Sequence, residues 1–506
     1  MILGKALLLA FAGLLLATGS AQAGPAIAAA TAIGTALGFV GTVATIVGAV
    51  LVIGTVALAT KAIKRKQQQQ QNQIAGVLVT KAGTTSPIPV VYGQRRIGGT
   101  RVFIASDGSE NIYLHVVEAL CEGPIEGCTE LYLADELAAT SSNNGASWSI
   151  ESAFNGFIDI HFKDGSQTGA LASHTFSNLD NIDEHDDWPS TAVGNKLAYV
   201  YLVIKFDQDK FGGGLPQITY TVKGKKLPAI GSDHDTTLTF SAEPARCIYD
   251  YLINPLYGKA IPFGLLDTTT FNSGASYNAA TVAKTASDST AVTRYEAHAY
   301  IDTDRPLLEN LETLFTTCRG GLITGDTYKF IQDRVTTPSS VTINDDNIVG
   351  TINFIQANKK TLLNHIRAKF PNEASGFNYQ EDISIVESST LQGATKDGLK
   401  LTKDIELAYT TNAEMTARIL TEEINSSRQS SVIEVDVDPT LIDLAVGDVV
   451  KFTNTTLGQT DKLYRILKTV VKPDHIITIN MKEYDTNVYW DNNKTIITDN
   501  KNDTDH

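Results

Sequence analysis

A chain of 506 residues, 42% of them hydrophobic, is longer than one core ordinarily serves and apolar enough to bury several, which excludes a disordered protein and predicts about three or four domains. The net charge of −15 is unevenly spread: nine Lys or Arg and no acid precede Asp107, so the first 106 residues carry +9 and the remainder −24. A body this acidic repels phosphate backbones, which argues against nucleic-acid binding by the folded part.

The N-terminus is apolar. Lys5, the run 6–17 and the triplet Ala21-Gln22-Ala23 have the form of a secretory signal peptide cleaved before Gly24. A second charge-free run, 26–59, ends in Lys61, Lys64, Arg65 and Lys66. About 20 apolar residues span a bilayer, so this run suffices for one long helix or a bent pair. Gly34 and Gly38 form the small-xxx-small pattern that lets helices approach closely in lipid. With Gly41, Gly48, Gly54, Phe39, Val50 and Leu51 they are the candidate membrane or self-association residues. A buried Ala/Gly-rich core helix is the alternative reading. The glutamine-rich run 67–73 has nothing to bury and reads as a tether.

From there Thr, Ile and Val, with Tyr and Phe as the main aromatics, favour strands. Short β-type runs at 77–80, 88–92, 102–105 and 112–119 are separated by turn signals. In the last run His115 reads as a packed or hydrogen-bonded strand histidine. The stretch 120–133, LCEGPIEGCTELYL, crowds acids and cysteines around Gly123-Pro124 and Gly127. Cys121 and Cys128 are spaced for neither a redox CxxC nor a zinc site, and with Cys247 and Cys318 they read as small buried hydrophobes. Glu122 and Glu126 have no His or third acid near in sequence. The stretch is therefore read as a turn between buried strands rather than an active site.

Further on, Ser241 is a predicted N-cap with Pro244 in the first turn, and Ala245, Ile248, Tyr249 and Leu252 share one helical face until Asn254-Pro255 stops the helix. Leu308, Leu311, Leu314, Phe315 and Cys318 repeat the pattern, with Gly320-Gly321 as the expected C-cap and a hairpin at 322–332 around Gly325-Asp326. An amphipathic helix is expected at 413–424. After it come a strand following Gly447-Asp448 and a pairing of 464–471 with 476–483, read as a small barrel or sandwich. The acidic run 180–188, with Asp183, Glu184, His185, Asp186 and Asp187, lacks EF-hand order and reads as a solvated loop. GSQTG at 165–169 lacks the central serine of a hydrolase elbow. No catalytic, cofactor or metal residue is assigned.

Four segments carry a resemblance: PIPVVYGQRRIGG with ALCEGPIEG, then 245–267, 308–334 and 444–452, in that order. Together they resemble the hub region of the tail tip proteins of siphophages, the family of the lambda tip attachment protein. The resemblance implies an α+β, mostly β fold of several β-rich hub domains, small barrels or sandwiches with packed helices, in addition to the apolar helical segment. It implies a non-enzymatic virion protein in which a homotrimer closes the tail tube. Its partners would be the distal tail protein ring, the tape measure protein and other tip or fibre proteins, and viral DNA would cross the lumen without specific binding. The hub turn would be Glu122, Gly123, Pro124, Ile125, Glu126 and Gly127; the hub helix core would be Ile248, Tyr249, Leu252, Leu311, Leu314 and Phe315. The expected division is a membrane-active or lumen-plugging segment (1–62), a linker (63–76), hub domains at 77–136 and 137–223, an α+β hub domain (224–335), a C-terminal hub β-domain (336–486) and a polar tail (487–506). The 137–223 unit is expected as a β-rich insertion or second hub domain. The hub motifs do not explain the apolar N-terminus, for which plugging the lumen and entering the host membrane is the expected role. An exported cell-wall enzyme or a pore-forming protein is the alternative.

Overall fold

Among the described residues from 81 to 240 the main elements are strands: β1 (Lys81–Ala82), β2 (Val90–Tyr92), β3 (Gln94–Gly98), β4 (Thr100–Asp107), β5 (Tyr113–Glu122), β6 (Ile125–Leu133), β7 (Glu136–Thr140), β8 (Ser149–Ile150), β9 (Ile158–Lys163), β10 (Leu197–Lys205), β11 (Ile218–Leu227) and β12 (Thr239–Phe240). The computed structural model describes residues 78, 80–82, 86–167, 194–211, 214–284, 288–355, 361–377, 383–429 and 431–491. The apolar segment 1–62 with its glycines, the expected linker at 63–76, the acidic run 180–188 and residues 492–506 lie outside these.

Two sheets, ordered β1-β4-β5-β10-β9 and β12-β11-β6-β7-β8 with β3 also on β11, share one core. Alternation puts Leu120 of β5, Val200 and Leu202 of β10, and Leu131, Tyr220 and Val222 of the second sheet into it. Because β10 pairs with β5 and β11 with β6, this core runs straight through the boundary expected at 136/137. On the other face of the first sheet Val117, Tyr199, Tyr201 and Val203 form a smaller cluster. There His115 is buried with Nδ1 2.7 Å from the Tyr201 hydroxyl, a packed strand histidine.

The middle of the chain supplies α1 (Pro244–Ile253), α2 (Thr268–Ala279), β13 (Thr281–Ala283), β14 (Ala291–Thr293), β15 (Ala299–Ile301), α3 (Leu307–Thr316), β16 (Gly320–Thr324) and β17 (Tyr328–Gln332). The expected helices and the 322–332 hairpin are present, but their ends differ. Glu243 caps α1, its carboxylate accepting from the Ala245 and Arg246 amides at 2.8 and 2.7 Å, while Ser241 Oγ accepts from the Glu243 amide instead. After α3 the left-handed residue is Arg319 (φ 52), not a glycine; Gly320 and Gly321 open β16.

The last third holds β18 (Thr342–Ile343), β19 (Ile348–Ile355), β20 (His365–Lys369), β21 (Ile383–Glu387), β22 (Thr402–Glu406), α4 (Ala413–Ser427), β23 (Val432–Val437), β24 (Val449–Asn454), β25 (Gln459–Val471) and β26 (Ile477–Glu483). The sheet β21-β20-β22 and helix α4 bury Ile366, Val386, Leu420 and Ile424 in the same core as α1 and α3, across the boundary expected at 335/336. The remaining strands form a six-stranded sheet, β18-β24-β25-β26-β23-β19, around a core of their own. The pairing of β25 shifts register against both β24 and β26. The start of the expected polar tail is packed: Val488, Tyr489 and Trp490 are buried. The fold is α+β and mostly β, and among the described residues no helix is long and apolar enough to cross a membrane.

Candidate functional site: two polar junctions

The GPIEG stretch is a corner between sheets. β5 runs through Glu122 and β6 starts at Ile125, so the connection is Gly123–Pro124 alone, joined by a cis peptide bond, and Glu126 and Gly127 already lie in a strand. The turn is tighter than the sequence suggested because β5 and β6 belong to different sheets facing one core. Its backbone is saturated: Gly123 N donates to Lys196 O (2.6 Å), Ile125 N to Asp164 O (2.9 Å), and Pro124 O accepts from Lys226 N (3.1 Å). Both glycines are sites of close approach: a Cβ on Gly123 would stand 2.6 Å from Gly165 Cα, and one on Gly127 would overlap the Asn144 backbone. Ile125 is fully buried, and Glu126 accepts from Asn144 Nδ2 at 3.0 Å.

Glu122 leads to the first junction. Its Oε1 is 3.7 Å from the ammonium of Lys225, a buried side chain that also donates to Gly123 O and lies 5.4 Å from the centroid of the Tyr257 ring. The Tyr257 and Tyr92 hydroxyls both donate to Asp250 Oδ2, each at 2.7 Å. Asp250 sits on α1 and is 1% exposed; burial pushes its carboxyl above the usual carboxylate range, against the pull of the two hydroxyls and Lys225. Burial likewise lowers Lys225. The line Glu122–Lys225–Tyr257–Asp250–Tyr92 therefore ties the corner to the helix that carries Ile248, Tyr249 and Leu252. Those three share a core with Leu311, Leu314 and Phe315 of α3, and Asn310 Nδ2 donates to the Tyr251 hydroxyl at 3.1 Å between the two helices. Both predicted hub groups are thus brought together. Sequence reasoning missed Tyr92, Lys225, Asp250 and Tyr257; the available signal was an acid inside the otherwise apolar run 247–253.

The second junction joins the β16–β17 hairpin, α4 and the C-terminal sheet. Asp333 Oδ1 accepts from Arg465 Nη1 (3.0 Å) and the Tyr489 hydroxyl (2.6 Å), and its Oδ2 pairs with Arg319. Arg319 in turn faces Glu422 (3.4 Å) and Glu423 (3.7 Å), and Glu423 accepts from Lys403 at 2.9 Å. Glu422, 1% exposed, also receives the Trp490 amide (2.9 Å) and the Tyr295 hydroxyl (3.2 Å). Burial would raise Asp333, but Arg319 and Arg465 outweigh it and hold the carboxyl well below its usual range. Burial dominates at Glu422, which is raised. The left-handed conformation of Arg319 costs roughly 1–2 kcal/mol and is held by the acids around its guanidinium.

In both junctions each charge faces an opposite charge or a hydroxyl, an arrangement suited to locking elements together. The four cysteines are buried free thiols, and burial pushes Cys121 up to about 12, far from a reactive thiolate. Asp233, His234 and Asp235 bring ligand-type atoms within 4.8 Å of one another on a partly exposed turn, but Asp233 Oδ1 is already engaged by the His234 amide and ring nitrogen, both at 2.7 Å.

Residues 309–469, which contain most of the second junction, match the family described as "Putative phage tail protein". In fold the chain is similar to one from the virion of a native gene transfer agent particle, with a TM-score of 0.51 at 14% identity over 86% of this chain and 98% of that one. The two chains share a fold. Looser likenesses are to the 43 kDa tail protein of prophage MuSo2 from Shewanella oneidensis (TM-score 0.29, 12% identity, 79% of this chain and 99% of that one) and to a tail protein from Neisseria meningitidis MC58 (0.31, 7%, 80% and 99%). No curated protein matches the sequence.

Proposed function

We propose that this chain is a non-enzymatic structural protein of a phage-type tail, serving as the hub that closes the end of the tail tube and opens for DNA to leave. The observation that carries the tail reading is the phage-tail family match over 309–469, whose residues build most of the junction that holds the C-terminal sheet to the rest of the body. The fold shared with a virion component supports it. So does the acidic body, since a conduit that attracted phosphates would retard DNA.

In this reading three copies surround the lumen, the β5–β6 corner and helices α1 and α3 form the rigid scaffold, and a distal tail protein ring, the tape measure protein and fibre proteins dock around it. The apolar segment 1–62 plugs the lumen and enters the host membrane when the tip opens. The test is electron microscopy of particles carrying an epitope on this chain, together with the native mass of the hub released from them. Label confined to the distal end of the tail and a three-copy assembly are expected. Label along the tube or in the capsid, or a monomer outside any particle, overturns the hub; particles lacking 1–62 that deliver DNA normally overturn the plug alone.

A further inference from the structure

The sequence holds two Asn-Gly pairs, Asn144-Gly145 and Asn155-Gly156. In such a pair the glycine nitrogen, with no Cβ beside it to hinder approach, can reach the side-chain carbonyl of the asparagine before it. The fold treats the two pairs oppositely. Asn144 Nδ2 donates to Glu126 Oε1 at 3.0 Å, and its Oδ1 accepts from Lys223 Nζ at 3.4 Å. The Gly145 amide, which would be the nucleophile, donates to Ser141 Oγ at 2.8 Å. Gly145 is also buried, and a Cβ there would stand 2.5 Å from Phe162 Cδ1. This first pair is locked.

Asn155 and Gly156 are both exposed, at the tip of a turn closed by Phe157 N donating to Phe154 O at 3.0 Å, with Gly156 at φ 81. The shoulders of this turn are fixed: Phe154 and Ile158 are buried in the core between the first two sheets, and Lys205 N donates to Phe157 O at 2.7 Å. Lys210 braces the same turn from outside, 5.8 and 5.2 Å from the Phe154 and Phe157 ring centroids. We propose that Asn155 is a deamidation site whose reactant is water. Gly156 N bonds to Asn155 Cγ, the Cγ–Nδ2 bond breaks, and the nitrogen leaves as ammonia with the proton from Gly156. Water then adds hydroxyl to either carbonyl carbon of the resulting imide as its bond to nitrogen breaks, and a proton returns to that nitrogen; nothing is oxidised or reduced. Opening at Cγ gives aspartate, and opening at the Asn155 backbone carbonyl gives isoaspartate. Either product adds one negative charge to the net −15, and isoaspartate also lengthens the backbone of the turn leading into β9.

The test incubates the full chain, native and in guanidinium, in neutral and mildly alkaline buffer. Mass spectrometry follows the peptides around 144 and 155, and enzymatic methylation counts isoaspartate. In the native chain conversion at Asn155 should outrun that at Asn144 on the order of a hundredfold, because several hydrogen bonds must open first at Asn144, each slowing the step roughly fivefold to tenfold. In guanidinium the two rates should converge, and the rate at Asn155 should rise with pH as the attacking amide loses its proton more readily. Asn155→Gln should remove most of the isoaspartate formed by the native chain. Equal native rates at the two asparagines, an Asn155 that survives in the native chain while converting in guanidinium, or isoaspartate undiminished in Asn155→Gln would overturn the proposal.

Discussion

Replacing Asp333 by Ala tests whether the second junction holds the C-terminal sheet to the body. The change removes the partner of two guanidiniums and one hydroxyl, and leaves Arg465 and Arg319 with a buried, partly compensated charge. Deleting one member of a buried pair costs about 3–5 kcal/mol. Asp333 is 30% exposed at its side chain and Arg319 keeps Glu422 and Glu423, so the lower end, about 3 kcal/mol, is expected here. For a cooperative unit of 150–250 residues that corresponds to a fall in Tm of roughly 6–12 °C. The matched control is Asp404→Ala, which breaks an ion pair with Arg367 of 2.7 Å whose partners are 39% and 53% exposed, and which should cost about 0–1 kcal/mol. Thermal and urea unfolding, followed by far-ultraviolet circular dichroism, measure both. Equal losses in the two variants would show that burial does not amplify this network and would refute the reasoning.

The same carboxylate sets a pH dependence. Its folded pKa is depressed, so its contribution is complete above the unfolded value of about 4 and is lost as the pH falls through the folded value. Asp333→Asn should flatten the fall of stability below about pH 4 by up to one proton, or about 1.4 kcal/mol per pH unit, and parallel curves for the two proteins would contradict this. Gly127→Ala forces a methyl against the Asn144 backbone and should destabilise by roughly 3 kcal/mol in chemical denaturation. Leu314→Ala empties a fully buried site between α3 and its neighbours and should cost roughly 3 kcal/mol by the same measurement. The four buried thiols should be silent to a chromogenic disulfide at pH 8 in the native protein and all four should react in guanidinium.

Local pattern carried the helices and hairpins. The i, i+3, i+4, i+7 spacing of Ala245, Ile248, Tyr249 and Leu252 marks one apolar stripe wherever the helix packs, and Gly325-Asp326 demands a tight turn whatever surrounds it. The mostly β character followed from residue type, as did the reading of the cysteines as buried hydrophobes once their spacing excluded a redox or zinc site. Other features depended on partners far away in the chain. Ser241 is by type the better cap, yet Glu243 stands at the N-cap of α1, where Asn278 of α2 also reaches its carboxylate, at 2.6 Å. The GPIEG corner is two residues long where β5 and β6 pass into different sheets, β5 beside β10 and β6 beside β11, and Lys225 meets Glu122 only through that pairing. Arg319 and Glu422 are separated by about a hundred residues of chain, with no periodicity linking them. Sequence therefore determined the helices, strands and turns whose side-chain spacing is regular along one backbone, and missed α2, which has no such stripe. Tertiary structure decided where the cores begin and end and which charges meet, because burial and ion pairing depend on what another part of the chain brings alongside.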